Sequence, residues 1–487
     1  MVRISDNRRV LLGADGLPVI RAGYDAVTDN NRRKAASTIL RSEDQELLPE
    51  RRRAMVSTAR DLRRNYAIAA WAIRKHLDYV STFTFHAKTG DPALNRQIEA
   101  VIGEWSRREN FDVAGRHPLG RMIRILEAHR VVDGDVFVHK VDGKVQGIEG
   151  DRVRTPYTGL PPDIAPERII HGVHCDEAGR ALGYCINKRT SGGGFEFEQL
   201  VPAARCYQHA YFERLDQVRG VTPLSSAMND FRDTYEAKDY ALAKMKISQL
   251  FGLIFFRKAA DEMGNLEEQA DAGAETGETA DAEKPHYSVN LGAGPFLMDL
   301  APGDDAKCVE TGSPATETQA FWLVMVEAAL KSLDIPMSFY DESRTNFFGS
   351  RAALNHYLAS AEIKRADNRA LLAWLTEWKL AMAVEDGLLA LPKGWVLADL
   401  ATEWVHAGLP WWNPQQEVNA NVQSVAGGLD SPQRICKERG VDVIDILDEL
   451  KVFYAAAKER GVPISLTTVS PITIGSSGEG DQQGRGK

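Results

Sequence analysis

The feature that most constrains this fold is a stripe of apolar residues along 222–250, with a mean spacing of about 3.5 positions. The stripe consists of Leu224, Met228, Phe231, Tyr235, Leu242 and Met245. This period is typical of a helix that packs along another helix over its whole length. At the standard rise per residue the predicted helix is roughly 42 Å long, which is long for a helix inside one small domain.

Two further long helices are predicted after this one, over 315–334 and over 350–386, the latter roughly 54 Å long. Between the first two helices, a strand is predicted at 253–256. It is followed by an acidic segment rich in Ala and Gly, 260–284, which we interpret as a mobile insertion. Helices of this length bury their apolar stripes best against copies of the same chain. A ring is the closed arrangement for such head-to-tail contacts.

The rest of the chain mixes helical and strand-like patterns, so the predicted class is α+β. Helical periodicity predicts shorter helices over 54–80, 92–108, 118–130, 415–428, 431–439 and 442–460. Short, partly alternating runs predict strands over 131–140, 144–148, 169–173 and 183–187. A loosely ordered arm is expected over 1–50, and the Ser- and Gly-rich composition predicts a disordered tail over 467–487.

The net charge of −9 is unevenly distributed along the chain. Residues 1–75 carry 16 basic against 9 acidic side chains, a net of +7, so the remainder carries −16. Tight binding of a polyphosphate needs many Lys and Arg side chains that displace counterions. A chain that is acidic overall therefore grips nucleic acid poorly, although it could surround it.

Other composition features exclude several classes of protein. No apolar run approaches the ~20 residues that cross a bilayer, so no membrane partner is expected. The N-terminus lacks the apolar core of a signal peptide. The five cysteines are scattered and include no C-x-x-C pair, which favours a reducing compartment and argues against a zinc finger.

From its motifs, the sequence is predicted to have no catalytic residue, no bound metal and no cofactor. No phosphate-binding G-x-x-x-x-G-K-[ST] loop is present, and the Gly-rich run 191–194 is interpreted as a turn between strands. His171 and His174 would point to opposite faces of a strand, which argues against a metal site with Cys175.

Four acids leave one enzymatic alternative open, a metal-dependent nuclease. These acids are Asp133, Asp135, Glu149 and Asp151, and a carboxylate cluster of this kind could hold Mg²⁺. The favoured interpretation is that they are turn acids flanking strands.

Several segments, in order, resemble the lambda-like portal family of tailed bacteriophages. The resembling segments are 60–65, 133–137, 148–152, 170–180, 209–223, 346–353 and 412–442. The most specific are His209-Ala210-Tyr211-Phe212 and Gln217-Val218-Arg219-Gly220-Val221-Thr222-Pro223. Two positions depart from the family pattern: Phe347-Phe348-Gly349 replaces tyrosine-serine-serine, and Asn413 stands where aspartate is common.

The resemblance implies a ring, usually a homododecamer, at one capsid vertex of the virion, assembled in the host cytoplasm. Double-stranded DNA would enter and leave the capsid through its channel. The implied partners are the terminase large subunit, the major capsid protein and a head–tail adaptor. A different head–tail connector ring is the structural alternative, although such proteins are usually smaller.

The resemblance also implies an elongated protomer with an α/β wing, long stem helices, a small α/β clip and a helical crown. By order, the parts are an arm and wing (1–221), a stem helix (222–250), a clip with the acidic insertion (251–313), a second stem helix (314–335), a tunnel loop (336–349), a long helix with more wing (350–425), a crown (426–466) and a tail (467–487).

Two sets of site residues follow from this mapping. The candidates for facing DNA in the channel are Arg344, Asn346, Phe347, Phe348 and Arg351 near the tunnel loop, and Lys244, Lys246 and Lys331 on the stem helices. As alternatives, the cations would pair between subunits and the two phenylalanines would pack under the loop. The family-motif residues with a structural role are Gln217, Arg219, Gly220 and Pro223, and Gly220 is expected to allow a tight backbone approach.

Overall fold

The structure of the protein is a computed structural model. It describes residues 41–156, 158–162, 164–250, 253–257, 304–308, 316–408 and 413–464. Residues 1–40 of the predicted arm 1–50, the acidic insertion 260–284 and the tail 467–487 lie outside the described residues. The end of the arm is helical rather than loosely ordered, at Glu43–Glu46 and from Pro49 onwards. The chain divides into two compact units, each built from three segments. Unit 1 comprises Met1–Ser57, Ala87–Thr222 and Ala373–Ala401, and unit 2 comprises Thr58–His86, Pro223–Leu372 and Thr402–Lys487.

Helices form a large part of the described chain. In chain order they are α1 (Glu43–Glu46), α2 (Pro49–Asn65), α3 (Ala67–Val80), α4 (Pro92–Trp105), α5 (Arg108–Phe111), α6 (Leu119–Asp133), α7 (Met228–Leu250), α8 (Thr316–Leu330), α9 (Phe347–Glu385), α10 (Pro414–Ala426), α11 (Pro432–Glu438) and α12 (Val443–Glu459). The predicted mixture of helix and sheet is therefore confirmed, whereas the division into wing, stem, clip and crown stays a prediction.

The strands form antiparallel sheets. In chain order they are β1 (Phe83–Ala87), β2 (Asp135–Val141), β3 (Lys144–Glu149), β4 (Ile169–Ile170), β5 (Val173–Cys175), β6 (Ala181–Arg189), β7 (Phe195–Pro202), β8 (Cys206–Ala210), β9 (Leu253–Arg257), β10 (Asp304–Cys308) and β11 (Thr402–His406). Unit 1 holds a three-stranded sheet of order β3-β2-β8 and a four-stranded sheet of order β4-β5-β6-β7. In unit 2, β9 pairs with β10.

One apolar core joins the two sheets of unit 1. Phe137 and Ile148 from the three-stranded sheet belong to the same buried cluster as Tyr184, Ile186 and Val201 from the four-stranded sheet. The first six residues of β2 are all buried, including the polar side chains of Asp135, His139 and Lys140. This core fixes the loops that carry the site described below.

The predicted helix over 54–80 is wrong in one respect, because it is two helices. Tyr66 separates α2 from α3 with an extended backbone, φ −110° and ψ 108°. Its ring packs against that of Tyr235 in α7, with centroids 4.7 Å apart. The break therefore coincides with a contact that is distant in sequence.

The predicted strands also need correction. Residues 131–133 belong to α6, and β2 begins only after Gly134 ends the helix at φ +90°. The range 169–173 contains two short strands, joined by His171 at φ +50° and Gly172. The strands β1, β7, β8, β10 and β11 were not predicted.

The long helices are present, with shifted starts. Pro223 opens a 3₁₀ turn that precedes α7, and α8 is followed by a 3₁₀ turn at Lys331–Leu333. Helix α9 contains 39 residues and is roughly 58 Å long. It begins at Phe347 rather than at residue 350. Phe347 and Phe348 therefore belong to its first turn and not to the predicted loop.

The apolar stripe of α7 is buried only in its first half. Leu224 and Phe231 are buried, whereas Tyr235 and Leu242 are exposed in the single chain. The two helices α7 and α8 are in contact, and the Trp322 indole N–H donates to the carbonyl of Thr234 at 3.1 Å. The second half of the stripe thus leaves apolar surface uncovered by the described residues.

Candidate functional site

The family-motif residues converge on one buried arginine in unit 1. Arg219 uses all five of its N–H donors: Nε and Nη2 donate to the carboxylate of Asp135 at 2.6 and 2.9 Å. Its remaining donors reach the carbonyls of Gly150, Val153 and His171, each at 2.7 Å. Arg219 therefore ties together the ends of strands and turns that are far apart in sequence.

A second arginine binds the same carboxylate. Nη2 of Arg52, in α2, donates to Oδ1 of Asp135 at 2.7 Å, and the backbone N–H of Gly220 donates to Oδ2 at 3.2 Å. Burial raises the pKa of Asp135, but the charges of Arg219 and Arg52 outweigh burial and hold that pKa below its usual value. Burial, together with the charge of Arg219, lowers the pKa of Arg52 to about 10. Asp135 is thus an ionised group that holds two cations.

The tight backbone approach expected at Gly220 is present. A Cβ atom at Gly220 would lie 2.1 Å from the carbonyl oxygen of Gly134. A Cβ atom at Gly134 would in turn lie 2.5 Å from the carbonyl oxygen of Gly220. The two backbones therefore approach too closely for any side chain, and Gly220 places its neighbour Arg219 beside Asp135.

Gln217 organises the loop that leads into this motif. Its side-chain oxygen accepts from the backbone N–H groups of Glu213 at 2.9 Å and Arg214 at 3.2 Å. Its side-chain nitrogen donates to the carbonyls of Tyr211 at 3.1 Å and Arg219 at 2.7 Å. One side chain thus fixes the backbone over 211–219. Pro223, the fourth motif residue, begins the 3₁₀ turn before α7.

The acids considered for a magnesium-dependent nuclease are each held by a basic side chain. Asp133 lies 2.9 Å from Nδ1 of His129, and Asp135 is bound as above. Glu149 and Asp151 both accept from Arg189, at 2.6 and 2.9 Å. These contacts favour a structural role for the acids, as flanking charges of the strands.

The other two motifs considered for chemistry also have structural contacts. His171 Nε2 lies 2.9 Å from the carbonyl of Asp44, so this ring contacts backbone. The Gly-rich run is the turn between β6 and β7, closed by hydrogen bonds between Thr190 and Gly194. This confirms the interpretation of the run as a turn.

The candidates for facing DNA near residues 344–351 surround the start of α9 in unit 2. Asn346 caps the helix, because its side-chain oxygen accepts from the N–H of Gly349 at 2.7 Å. The rings of Phe347 and Phe348 meet edge to face at 5.6 Å. Phe348 is 79% exposed in the single chain, so the described residues do not cover it.

The candidate cations occupy varied settings. Arg351 lies 3.6 Å from Oε1 of Glu417, and Lys331 lies 3.7 Å from Oε1 of Glu327, so both contact an acid of their own chain. Lys244 is exposed on α7. The two other candidates are located by their backbone: Lys246 lies in α7 and Arg344 ends the 3₁₀ turn Glu342–Arg344.

Sequence reasoning missed two important cations, Arg52 and Lys140. Arg52 is the middle member of an Arg51-Arg52-Arg53 run, and the run gives no sign that only this member turns inward. Lys140 is buried, with Nζ 3.3 Å from the ring centroid of Trp374 and 5.4 Å from that of Trp378. Burial lowers the pKa of Lys140 to about 8. The alternation along β2 could have placed Lys140 in the sheet, but not against α9.

Comparison with known proteins gives concordant results. Residues 29–365 match the family described as phage portal protein, lambda family. A relative named "Probable portal protein", from Halomonas phage phiHAP-1, is 23% identical over 408 residues, which cover 77% of this chain and 73% of the relative. In the part of the chain that the structure describes, no helix is long and apolar enough to span a bilayer.

Similar solved structures come from gene transfer agent (GTA) particles. One is the neck of an empty GTA particle computed with C6 symmetry, at 14% identity and a TM-score of 0.48, covering 79% of this chain and 94% of that chain. Another is the neck of a native GTA particle computed with C12 symmetry, at 13% identity and a TM-score of 0.46, covering 79% and 93%. The family match spans well over half of the sequence, including the motif that places Arg219 on Asp135. The chain therefore belongs to the lambda family of phage portal proteins.

Proposed function

We propose that this chain assembles into a ring, a homododecamer, at one vertex of a phage capsid. Its central channel lets double-stranded DNA enter during packaging and leave during ejection. The observation that carries the proposal is the family match over residues 29–365. The resembling segments from 60–65 to 346–353 fall inside that range, and the segment 412–442 lies beyond it.

Uncovered apolar surface on α7 and α8 supports assembly. Tyr235, Tyr240 and Leu242 are exposed on α7, and Phe321 and Val324 are exposed on α8. Large apolar side chains exposed together on packed helices are a usual mark of a protein–protein interface. In the proposed ring, the neighbouring copies bury these side chains.

The charge of the chain supports a channel that does not grip DNA. At −9 per chain, twelve copies carry 12 × −9 = −108. A wall of mixed and largely acidic side chains repels phosphates and keeps the duplex centred. The exposed Phe348, the cations near it and on α7, and Lys331 directly after α8 are the proposed local contacts with DNA.

The proposed partners are those of a passive channel. The terminase large subunit, which hydrolyses ATP, docks on the clip, and the major capsid protein surrounds the ring. A head–tail adaptor joins it after packaging. The chain itself is a structural protein and not an enzyme. It acts in the virion, after assembly in the host cytoplasm.

The decisive experiment is electron microscopy of the purified full-length chain. We expect rings with rotational symmetry in class averages, with twelve copies per ring. A chain that stays monomeric at every concentration would overturn the proposal. A magnesium-dependent cleavage assay on the same sample tests the nuclease alternative, and we expect no cleavage of duplex DNA.

A further inference from the structure

The loop 211–217 of unit 1 presents two apolar side chains to solvent. Leu215, near its tip, is 110% exposed, more than in an extended reference peptide, and Phe212 is half exposed. An isolated exposed leucine is common on protein surfaces. A fully exposed leucine three positions from an exposed phenylalanine, on a loop fixed by its own hydrogen bonds, indicates a surface for a partner.

The loop is rigidly held in this presentation. The Gln217 side chain bonds the backbone at Glu213 and Arg214, as described above. The Arg214 guanidinium donates from Nη1 and Nη2 to the carbonyl of Arg41, both at 3.2 Å, and Nη1 lies 3.4 Å from Oε2 of Glu43. A loop ordered before binding loses little conformational entropy when it docks.

The same unit carries a cavity of about 330 Å³ beside strand β3. Its apolar wall comes from Met122, Ile125, Leu126, Val136 and Ile148. Its rim carries the exposed side chains of Val113 and Arg116, with His117 beside them. Glu149 also lines the cavity, where its carboxylate accepts from Arg189.

The loop and the cavity offer exposed groups of opposite charge. Glu213 is an exposed acid of the loop, whereas Asp216 lies 3.8 Å from Arg214. Arg116 is an exposed cation of the cavity lining, and the carboxylate of Asp112, which also lines it, accepts from backbone N–H groups. The cavity has room for a leucine side chain. A surface knob on one copy that fits a pocket elsewhere on the next copy makes a head-to-tail contact, and such contacts close into rings when the rotation allows.

We propose that Leu215 of one copy inserts into the cavity beside β3 of the neighbouring copy, with Glu213 facing Arg116. This inference rests on the proposed ring and names one of the contacts that build it. It assigns the loop 211–217 a role in assembly in addition to its role in leading the chain towards α7.

Site-specific photo-crosslinking tests the contact directly. A benzophenone amino acid at Leu215 should crosslink, in assembled rings, to peptides that contain Met122 or residues 146–149. Rings mixed from isotopically heavy and light copies should give heavy–light crosslinked pairs, which shows that the contact is between copies. The same crosslinker at Leu182, another exposed leucine of unit 1, is the matched control and should not reach this cavity.

A charge-reversal pair gives an independent readout. Glu213→Arg and Arg116→Glu should each lower ring yield several-fold, and the double variant should restore it. This contact would be overturned if rings form normally, the crosslinks map elsewhere and both single variants assemble at full yield. The proposed function would still stand in that case. A chain that forms no rings at all would overturn the proposed function first.

Discussion

Arg219 donates two hydrogen bonds to the carboxylate of Asp135, at 2.6 and 2.9 Å, and neither side chain is exposed to solvent by more than 1%. The two residues are 84 positions apart and belong to two different family motifs. Each motif supplies one partner of the ion pair and one glycine of the close approach between Gly134 and Gly220. The two motifs therefore form one buried contact, which consists of the Arg219–Asp135 ion pair and the close approach of Gly134 to Gly220.

Breaking the Arg219–Asp135 ion pair should strongly destabilise unit 1. We expect Arg219→Ala to reduce the free energy of opening of β2 by about 3–5 kcal/mol, because the Asp135 carboxylate and the carbonyls of Gly150, Val153 and His171 lose their buried donor. Native-state hydrogen exchange of the β2 amides measures this quantity. Arg189→Ala removes a half-exposed arginine that also binds two carboxylates, and it should cost below about 1 kcal/mol. Equal losses of opening free energy in Arg219→Ala and Arg189→Ala would contradict the conclusion that burial makes the Arg219 contacts the stronger ones.

Gly220→Val should prevent correct folding and hinder ring assembly. The added side chain would start 2.1 Å from the carbonyl oxygen of Gly134, which is backbone and has no room to move aside. Size-exclusion chromatography and ring counts in micrographs measure the yield. Gly192→Val places the same side chain in an exposed turn with nothing within 4 Å of its Cβ, and we expect a normal ring yield from it. A normal yield from Gly220→Val would count against a need for the close approach.

The sequence predicted the long helices well because their signal is local. An apolar stripe at helical spacing identifies α7, and a helical pattern over more than thirty residues identifies α9. The break at Tyr66 has no such signal, since it accompanies a ring contact with Tyr235 across 169 positions (235 − 66). Periodicity reports which residues face a core, but not which distant residue they meet.

The site was predictable in part for the same reason. The motif around Arg219 and Gly220 is recognisable in the sequence. A tight backbone approach at residue 220 is expected because glycine has no side chain. The partners of Arg219 could not, because a buried ion pair depends on tertiary contacts. The resemblance places residues 336–349 in a tunnel loop, whereas the Asn346 cap starts α9 at Phe347.

The Asn346 cap can be tested by itself. Asn346→Ala removes the side-chain oxygen that accepts from Gly349 and should cost about 1 kcal/mol at the start of α9. Faster hydrogen exchange confined to the first turn of α9 measures this loss. Asn346→Asp keeps an acceptor at the N-terminus of the helix and should retain the protection. Unchanged exchange in Asn346→Ala would show that the cap does not determine where α9 begins.

Lys140 should make the stability of unit 1 rise with pH above neutrality. Its pKa is lowered to about 8 in the folded chain from 10.5, so between these values the unfolded chain holds a proton that the folded chain has lost. Such a shift corresponds to at most about 3 kcal/mol. The contact with Trp374 favours the charged amine, so we expect a smaller rise.

The measurement is the free energy of opening of β2 at pH 7 and pH 10, compared between the native chain and Lys140→Met. As the pH rises from 7 to 10, the free energy of opening should increase in the native chain relative to Lys140→Met. Lys188→Met, at an exposed lysine of β6, should leave the pH dependence unchanged. A pH-independent difference between the native chain and Lys140→Met would contradict the lowered pKa.

The aromatic pair at the start of α9 should act on DNA rather than on assembly. Phe347 and Phe348 are exposed in the single chain, and the proposed function places them beside the duplex. We expect the double variant Phe347→Ala, Phe348→Ala to form rings at normal yield but to retain several-fold less packaged DNA in assembled particles. Nuclease protection of the packaged genome measures retention. Phe453→Ala, at an exposed phenylalanine of α12, is the matched control and should retain a full genome. Full retention in the double variant would remove this pair from the channel contacts, while lost rings would show instead that the neighbouring copy covers it.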